Sequence, residues 1–179
     1  MARFQFVLIF FLCYTLSPPP AATGSSTNKL VDKICNRTSN YTFCAEALYS
    51  DPRTPTADAY GLAFVSFGLA YLNATATQDY IAQLLNDNTI AANHKRRLKL
   101  YQHDYSKAVS ALEEAYDDLN SETFFQLAKL AGHAAAAADD CQSAFKGAHY
   151  SPLATMNDCL KALSNICVIV SKLFTGGIW

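Results

Sequence analysis

Between Leu98 and Leu119 the apolar side chains Leu98, Tyr101, Tyr105, Ala108, Leu112, Ala115 and Leu119 recur at alternating steps of three and four residues. This is the spacing of a single helical face. Two later stretches repeat it: Phe124, Leu127, Ala131, Ala134, Ala138, Cys141 and Phe145, then Leu153, Met156, Leu160, Leu163, Cys167, Val170 and Phe174. An earlier stretch carries it through Leu62, Val65, Leu69, Leu72 and Ala76. Four amphipathic helices joined by short turns bury their stripes most economically against one another. The expected fold is therefore all-α, with an antiparallel up-and-down four-helix bundle over residues 56–176.

The 179 residues suit one domain, and the 51% hydrophobic content is raised by the N-terminus. Arg3 precedes a nearly unbroken apolar run from Phe6 to Leu16, and small residues follow around Ala21 to Gly24. That pattern reads as a secretory leader over residues 1–22, with cleavage near Ala22 or Gly24. The run is shorter than the roughly 20 residues a bilayer span needs, and Pro18, Pro19 and Pro20 end it. Loss of the leader takes Arg3 from fourteen basic residues and nothing from fifteen acids, leaving a net charge near −2. Neither a nucleic acid nor an anionic membrane is implied as a partner. Cys13 leaves as well, so five of six cysteines enter an oxidising compartment.

Residues 25–50 read as a helical hairpin: one short helix from Asn28 to Cys35, a polar turn through Asn36 to Asn40, and a second helix ending at Tyr49. Cys35 and Cys44 enclose eight residues, a separation suited to a disulfide across such a hairpin. Asn36-Arg37-Thr38, Asn40-Tyr41-Thr42 and Asn73-Ala74-Thr75 are glycosylation sequons. Asn36 and Asn40 lie in a surface turn, whereas Asn73 needs an exposed helix face.

Asp51-Pro52 stops the hairpin, and the first long helix is expected from about Ala57 to Leu85. Gly61 and Gly68, with Ala63 and Ala70, let a neighbour approach it closely. The second, from Ala91 to Leu119, has Lys95, Arg96, Arg97 and Lys99 early and Glu113, Glu114, Asp117 and Asp118 late, which opposes its own dipole. The third is expected over 121–145, where Ser121 and Glu122 would set negative charge at its start. The fourth is expected to begin at Ser151-Pro152, with serine as cap, and to stop before Gly176 and Gly177.

Cys159 and Cys167 are eight residues apart on one helix, about 12 Å, so they cannot pair. Cys141 with Cys159, Cys141 with Cys167, or no second bridge remain open, and register favours Cys159. No phosphate-binding glycine loop, Cys-x-x-Cys pair, zinc-helix motif or nucleophile elbow occurs, and His94, His103, His133 and His149 are scattered. Neither an enzyme nor a metal or cofactor site is indicated.

The order of these pieces resembles the plant invertase and pectin methylesterase inhibitor family along nearly the whole mature chain. The pieces are the Cys35/Cys44 hairpin, Asp51-Pro52, Ala57-Asp58, Gly61-Leu62-Ala63, Asn73-Ala74-Thr75, Tyr105 with Ala108-Val109, Cys141, Ser151-Pro152-Leu153 and Leu163-Ser164-Asn165-Ile166. The resemblance implies a secreted wall or vacuolar protein that docks on a carbohydrate-active enzyme and blocks its cleft without a cofactor. It implies a family disulfide joining the middle two bundle helices, with one end at Cys141. The other end falls at Tyr101, so that bridge cannot form here.

Acids that pectin methylesterase inhibitors carry on the second long helix are replaced by His103, Lys107 and Ser110. The Pro-Lys-Phe segment of acid invertase inhibitors is replaced by Phe124-Phe125-Gln126. These five residues, His103, Lys107, Ser110, Phe124 and Phe125, mark the expected target-binding face. Pectin methylesterase is favoured slightly as the target, acid invertase being the alternative. A non-inhibitory wall module and a covalent dimer through Cys159 are further readings.

Overall fold

Helices dominate residues 27–144 and 151–176, the residues that the computed structural model describes. The leader at 1–22, its cleavage site, Phe145, His149, Gly147 to Tyr150 and Gly177 lie outside them.

Two short helices come first, α1 (Lys29–Cys35) and α2 (Tyr41–Tyr49). Each begins on an asparagine whose side-chain oxygen accepts from an amide that the first turn leaves without a carbonyl: Asn28 from Leu30, Asn40 from Phe43. The Cys35–Cys44 disulfide joins them with a Cα–Cα separation of 5.4 Å. Asn28 does more than cap. Its Nδ2 donates to the carbonyls of Thr54 and Ala57 at 2.8 Å each, and its amide donates to the Tyr49 hydroxyl at 2.8 Å. The hairpin is thereby tied to the 3-10 turn Thr54–Thr56 that leads into the bundle.

The long helices are α3 (Ala59–Asn86), α4 (Ala92–Asn120), α5 (Leu127–Ala144) and α6 (Ala154–Ser171). They pack in a ring, α3 on α4, α4 on α5, α5 on α6 and α6 back on α3, while α1 leans on α6, and α2 on both α3 and α6. Side-chain bonds fix the up-and-down order. Tyr60 at the start of α3 donates to the carbonyl of Leu119 at the end of α4 (2.9 Å), and Lys161 early in α6 meets Asp139 late in α5 (2.6 Å). The stripe residues of α4 from Leu98 to Leu119 are all buried. Fully burying each large member stabilises by about 1.5–3 kcal/mol before entropy is counted.

Two helix starts differ from the sequence expectation. α5 begins at Leu127 rather than near 121, because Ser121 caps the end of α4 and Glu122 takes φ +55°. Thr123 then closes the turn, its amide donating to the Asp118 carbonyl at 2.8 Å. The carboxylate of Glu122 therefore does not sit in a first helical turn. α6 begins at Ala154 with no side-chain cap. The hydroxyl of Ser151 meets the Tyr101 hydroxyl at 3.2 Å instead of the helix amides.

The cysteine expectations also change. Cys141 is a free, fully buried thiol, so it makes no bridge to Cys159. It lies close enough to Asp104, Tyr101 and Tyr105 on α4 to share their electrostatics. Burial pushes its thiol well above the usual range. Cys159 is buried, with 4% of its surface exposed. Cys167, a free thiol like Cys141, is fully buried and pushed up to about 12 by burial.

Candidate docking face

The core stripe of α3 has a second apolar stripe beside it. Tyr60, Phe64, Gly68 and Tyr71 follow steps of four, four and three, so they share one side of the helix and border the groove against α4. Asp79 is the one charged residue in all of α3. The helix is long and apolar enough to cross a bilayer, yet half of its most apolar window is buried inside the bundle.

Edge contacts link the rings of this stripe into a ladder. Tyr60 meets Phe64 at 4.9 Å, Phe64 meets Tyr116 of α4 at 5.8 Å, and Tyr116 meets Tyr71 at 6.1 Å between centroids. Such tilted pairs add about 0.5–1.5 kcal/mol each beyond area burial. Gly68 makes room for the Tyr116 hydroxyl, which donates to the Phe64 carbonyl at 3.3 Å. Tyr71 donates to Glu113 at 3.2 Å, and burial followed by that bond raises its pKa. The groove thus presents aromatic faces edged by the carboxylates of α4.

At the α4 end of the bundle the ladder continues. Phe124 stacks on Phe174 at 4.4 Å and meets Tyr60 edge-on at 6.2 Å. Phe125 follows in the same turn with 89% of its surface exposed. One phenylalanine holds the turn to the core, and the other projects from it.

His103, Lys107 and Ser110 lie at steps of four and three along the outer side of α4, and all three are exposed. Lys107 pairs with Asp104 at 3.2 Å. The end of α4 lies ten residues beyond Ser110, about 15 Å at the helical rise, so this row and the Phe124/Phe125 turn are two separate features. The ladder between them was not singled out from the sequence. Its signal was there in the 60, 64, 68, 71 spacing and in the missing charge of α3.

Of the sequon asparagines, Asn36 and Asn40 are exposed at the hairpin turn. Asn73 is 5% exposed within α3, so it does not offer the accessible side chain a glycan needs. Elsewhere, the core holds a polar link: Tyr105, fully buried, donates to Asn157 Oδ1 at 2.9 Å. A cleft of about 350 Å³ lies on the α5–α6 side near Ser39, where Lys161 is already paired with Asp139.

Comparison with known proteins agrees with this architecture. The family described as plant invertase/pectin methylesterase inhibitor matches residues 29–170. A pectinesterase inhibitor from Actinidia deliciosa is 30% identical over 172 residues, covering 95% of this chain and 91% of that protein. A cell wall/vacuolar inhibitor of fructosidase 2 from Arabidopsis thaliana is 36% identical over 120 residues, 65% of this chain and 67% of that protein. Among solved structures, a mutant form of a pectin methylesterase inhibitor from Arabidopsis superposes with a TM-score of 0.71. At 21% identity, covering 80% of this chain and 95% of the other, that likeness speaks for the fold. With a family match over residues 29–170, about four-fifths of the 179-residue chain, and the hairpin-plus-bundle architecture in place, the chain belongs to the plant invertase/pectin methylesterase inhibitor family.

Proposed function

We propose that the chain is a secreted proteinaceous inhibitor that docks on a plant pectin methylesterase and covers its cleft. The observation that carries the reading is the match along nearly its whole length to a pectinesterase inhibitor. The aromatic groove of α3 and α4, with the outer row of α4 beside it, supplies a face of the right kind: a rigid, largely uncharged centre with a polar rim. Complexes of this type bury on the order of 1,600 Å² in total, within reach of two helices of 28 and 29 residues.

Acid invertase is the second reading, and one observation favours it. Phe125 stands 89% exposed just before α5, in a turn anchored by Phe124, and the relative at 36% identity is an inhibitor of fructosidase. A single protruding aromatic suits insertion into an enzyme cleft. Residues 1–22 act as the secretory leader in this reading, Asn36 and Asn40 accept glycans, and the apoplast is the working compartment, with the vacuole as the alternative.

Titration of a pectin methylesterase and an acid invertase with the oxidised protein at mildly acidic pH tests the proposal. Loss of pectin methylesterase activity with a stoichiometric end point is expected. Loss of invertase activity alone transfers the target, and no effect on either leaves a non-inhibitory wall module.

A further inference from the structure

The first half of α4 carries a charge pattern that neither the bundle nor the aromatic groove uses. From Asp87 to Ser110 there are five basic side chains, Lys95, Arg96, Arg97, Lys99 and Lys107, against the carboxylates Asp87 and Asp104. From Ala111 to Thr123 there are five carboxylates and no base. The helix dipole puts partial positive charge at the N-terminal end, so exchanging the two halves would stabilise the helix. No acid occupies the first turn, and Ala91 at the N-cap offers no side chain to the amides there. Stability gives no reason for this arrangement.

The two carboxylates of this stretch are engaged. Asp104 is paired with Lys107 at 3.2 Å, and Asp87 accepts from the amide and hydroxyl of Thr89 at 2.8 and 2.7 Å. Arg96 and Lys99 are exposed and take part in none of the ion pairs formed among the described residues. With His103 and Lys107 they run along one side of the helix in steps of three and four, a row about 16 Å long at the helical rise. The row is convex. A small anion needs a cradle, whereas a linear chain of repeated carboxylates can lie along such a row. A broad polyanion such as duplex nucleic acid or an anionic bilayer would also meet the acidic second half of α4, on a chain whose net charge is already −1.

We propose that the basic first half of α4, which extends the outer row from His103 and Lys107 back to Arg96, holds the protein on a linear uronate polysaccharide in its carboxylate form. The choice of polymer rests on the wall location in the proposed function, since de-esterification by a pectinesterase leaves such carboxylates where the inhibitor works.

The test is retention of the mature protein in gels containing polygalacturonate, fully methyl-esterified pectin or a neutral glucan. Retention by polygalacturonate alone is expected, weakening as salt screens the contact. Arg96→Gln with Lys99→Gln should weaken it about tenfold at low salt, while Lys29→Gln with Lys172→Gln, an equal loss of charge elsewhere on the surface, should change it less than about twofold. All four sites are exposed, and circular dichroism confirms that each variant folds. Equal retention by esterified pectin, an unchanged Arg96/Lys99 variant, or tighter binding to anionic phospholipid vesicles or to DNA than to polygalacturonate would overturn the proposal. Enzyme titrations on the same preparations separate the two readings. A protein that binds polygalacturonate and inhibits neither enzyme overturns only the inhibitor reading, and one that inhibits without binding overturns only this inference.

Discussion

Substituting Gly68 by alanine tests whether the aromatic groove is as tightly built as its geometry indicates. A Cβ at that position would stand 2.5 Å from the Tyr116 hydroxyl oxygen, where ordinary contact begins near 3.4 Å, so the oxygen must retreat by about 0.9 Å (3.4 minus 2.5). The ring is held by Phe64 on one side and Tyr71 on the other, and its hydroxyl by the Phe64 carbonyl. Alanine gains up to about 1 kcal/mol of helix propensity. Against that stand about 1–3 kcal/mol of overpacking and about 1 kcal/mol for the weakened hydrogen bond. Gly68→Ala is therefore expected to lose about 1–3 kcal/mol. Tyr116→Phe alone should lose about 1 kcal/mol at most, because the Phe64 carbonyl keeps its place in the α3 backbone ladder. In the double variant the nearest ring carbon lies 3.8 Å away, ordinary contact, so the propensity gain survives. Its stability should return close to the parent, with a favourable coupling of about 2–4 kcal/mol across the cycle. Urea unfolding followed by circular dichroism at 222 nm, with equal m-values required, gives all four numbers. A Gly68→Ala protein as stable as the parent, or strict additivity in the double variant, would refute the reasoning.

Four further expectations follow. Phe125→Ala should leave stability within about 0.5 kcal/mol, since the side chain is 89% exposed, yet weaken enzyme inhibition about tenfold or more; unchanged titration curves would remove Phe125 from the docking face. Tyr105→Phe should destabilise by about 1–3 kcal/mol, because Asn157 Nδ2 already lacks a partner and its Oδ1 would lose one, while adding Asn157→Leu should recover most of the loss in the same urea assay. Asp51 is held below the usual carboxylate range chiefly by its side-chain bond to Arg53, so its contribution is present above the unfolded pKa and is lost as pH falls through the lower folded value. Asp51→Asn should accordingly cost less than about 1 kcal/mol at neutral pH and nothing in strong acid, read as a stability difference that closes as pH falls through the lowered folded value. Cys141 and Cys167 should resist iodoacetamide in the native protein and react on unfolding, burial having raised both thiols; native labelling at either would contradict their placement.

Periodicity made the ring of helices legible because burial of four stripes admits few arrangements. The hairpin was legible too, but the sequence marks its caps Asn28 and Asn40 only as a helix end and a turn residue. The start of α5 was not. Phe124 continues the apolar spacing, and spacing cannot tell a helical residue from a turn residue folded back onto Phe174. Ser151-Pro152 has the composition of a helix start, but the Tyr101 hydroxyl takes the serine, a partner fifty residues away that no local pattern reveals. Cys141 met the same limit: the stripe places it inside without saying which neighbour it faces. The aromatic ladder was encoded in plain steps along α3, but it stood beside a stronger core stripe that already accounted for the helix.

α6 also sets the order in which the molecule can be completed. It is the last of the described helices to be synthesised, yet it packs against α1, α2, α3 and α5. The Cys35–Cys44 link, nine residues apart, can close as soon as the hairpin emerges. α3, with one charge in 28 residues, must wait with its α6 side open until the final helix arrives. A chain that stops short of α6 therefore leaves the nearly uncharged α3 partly uncovered, a form suited to capture by chaperones and prone to aggregation.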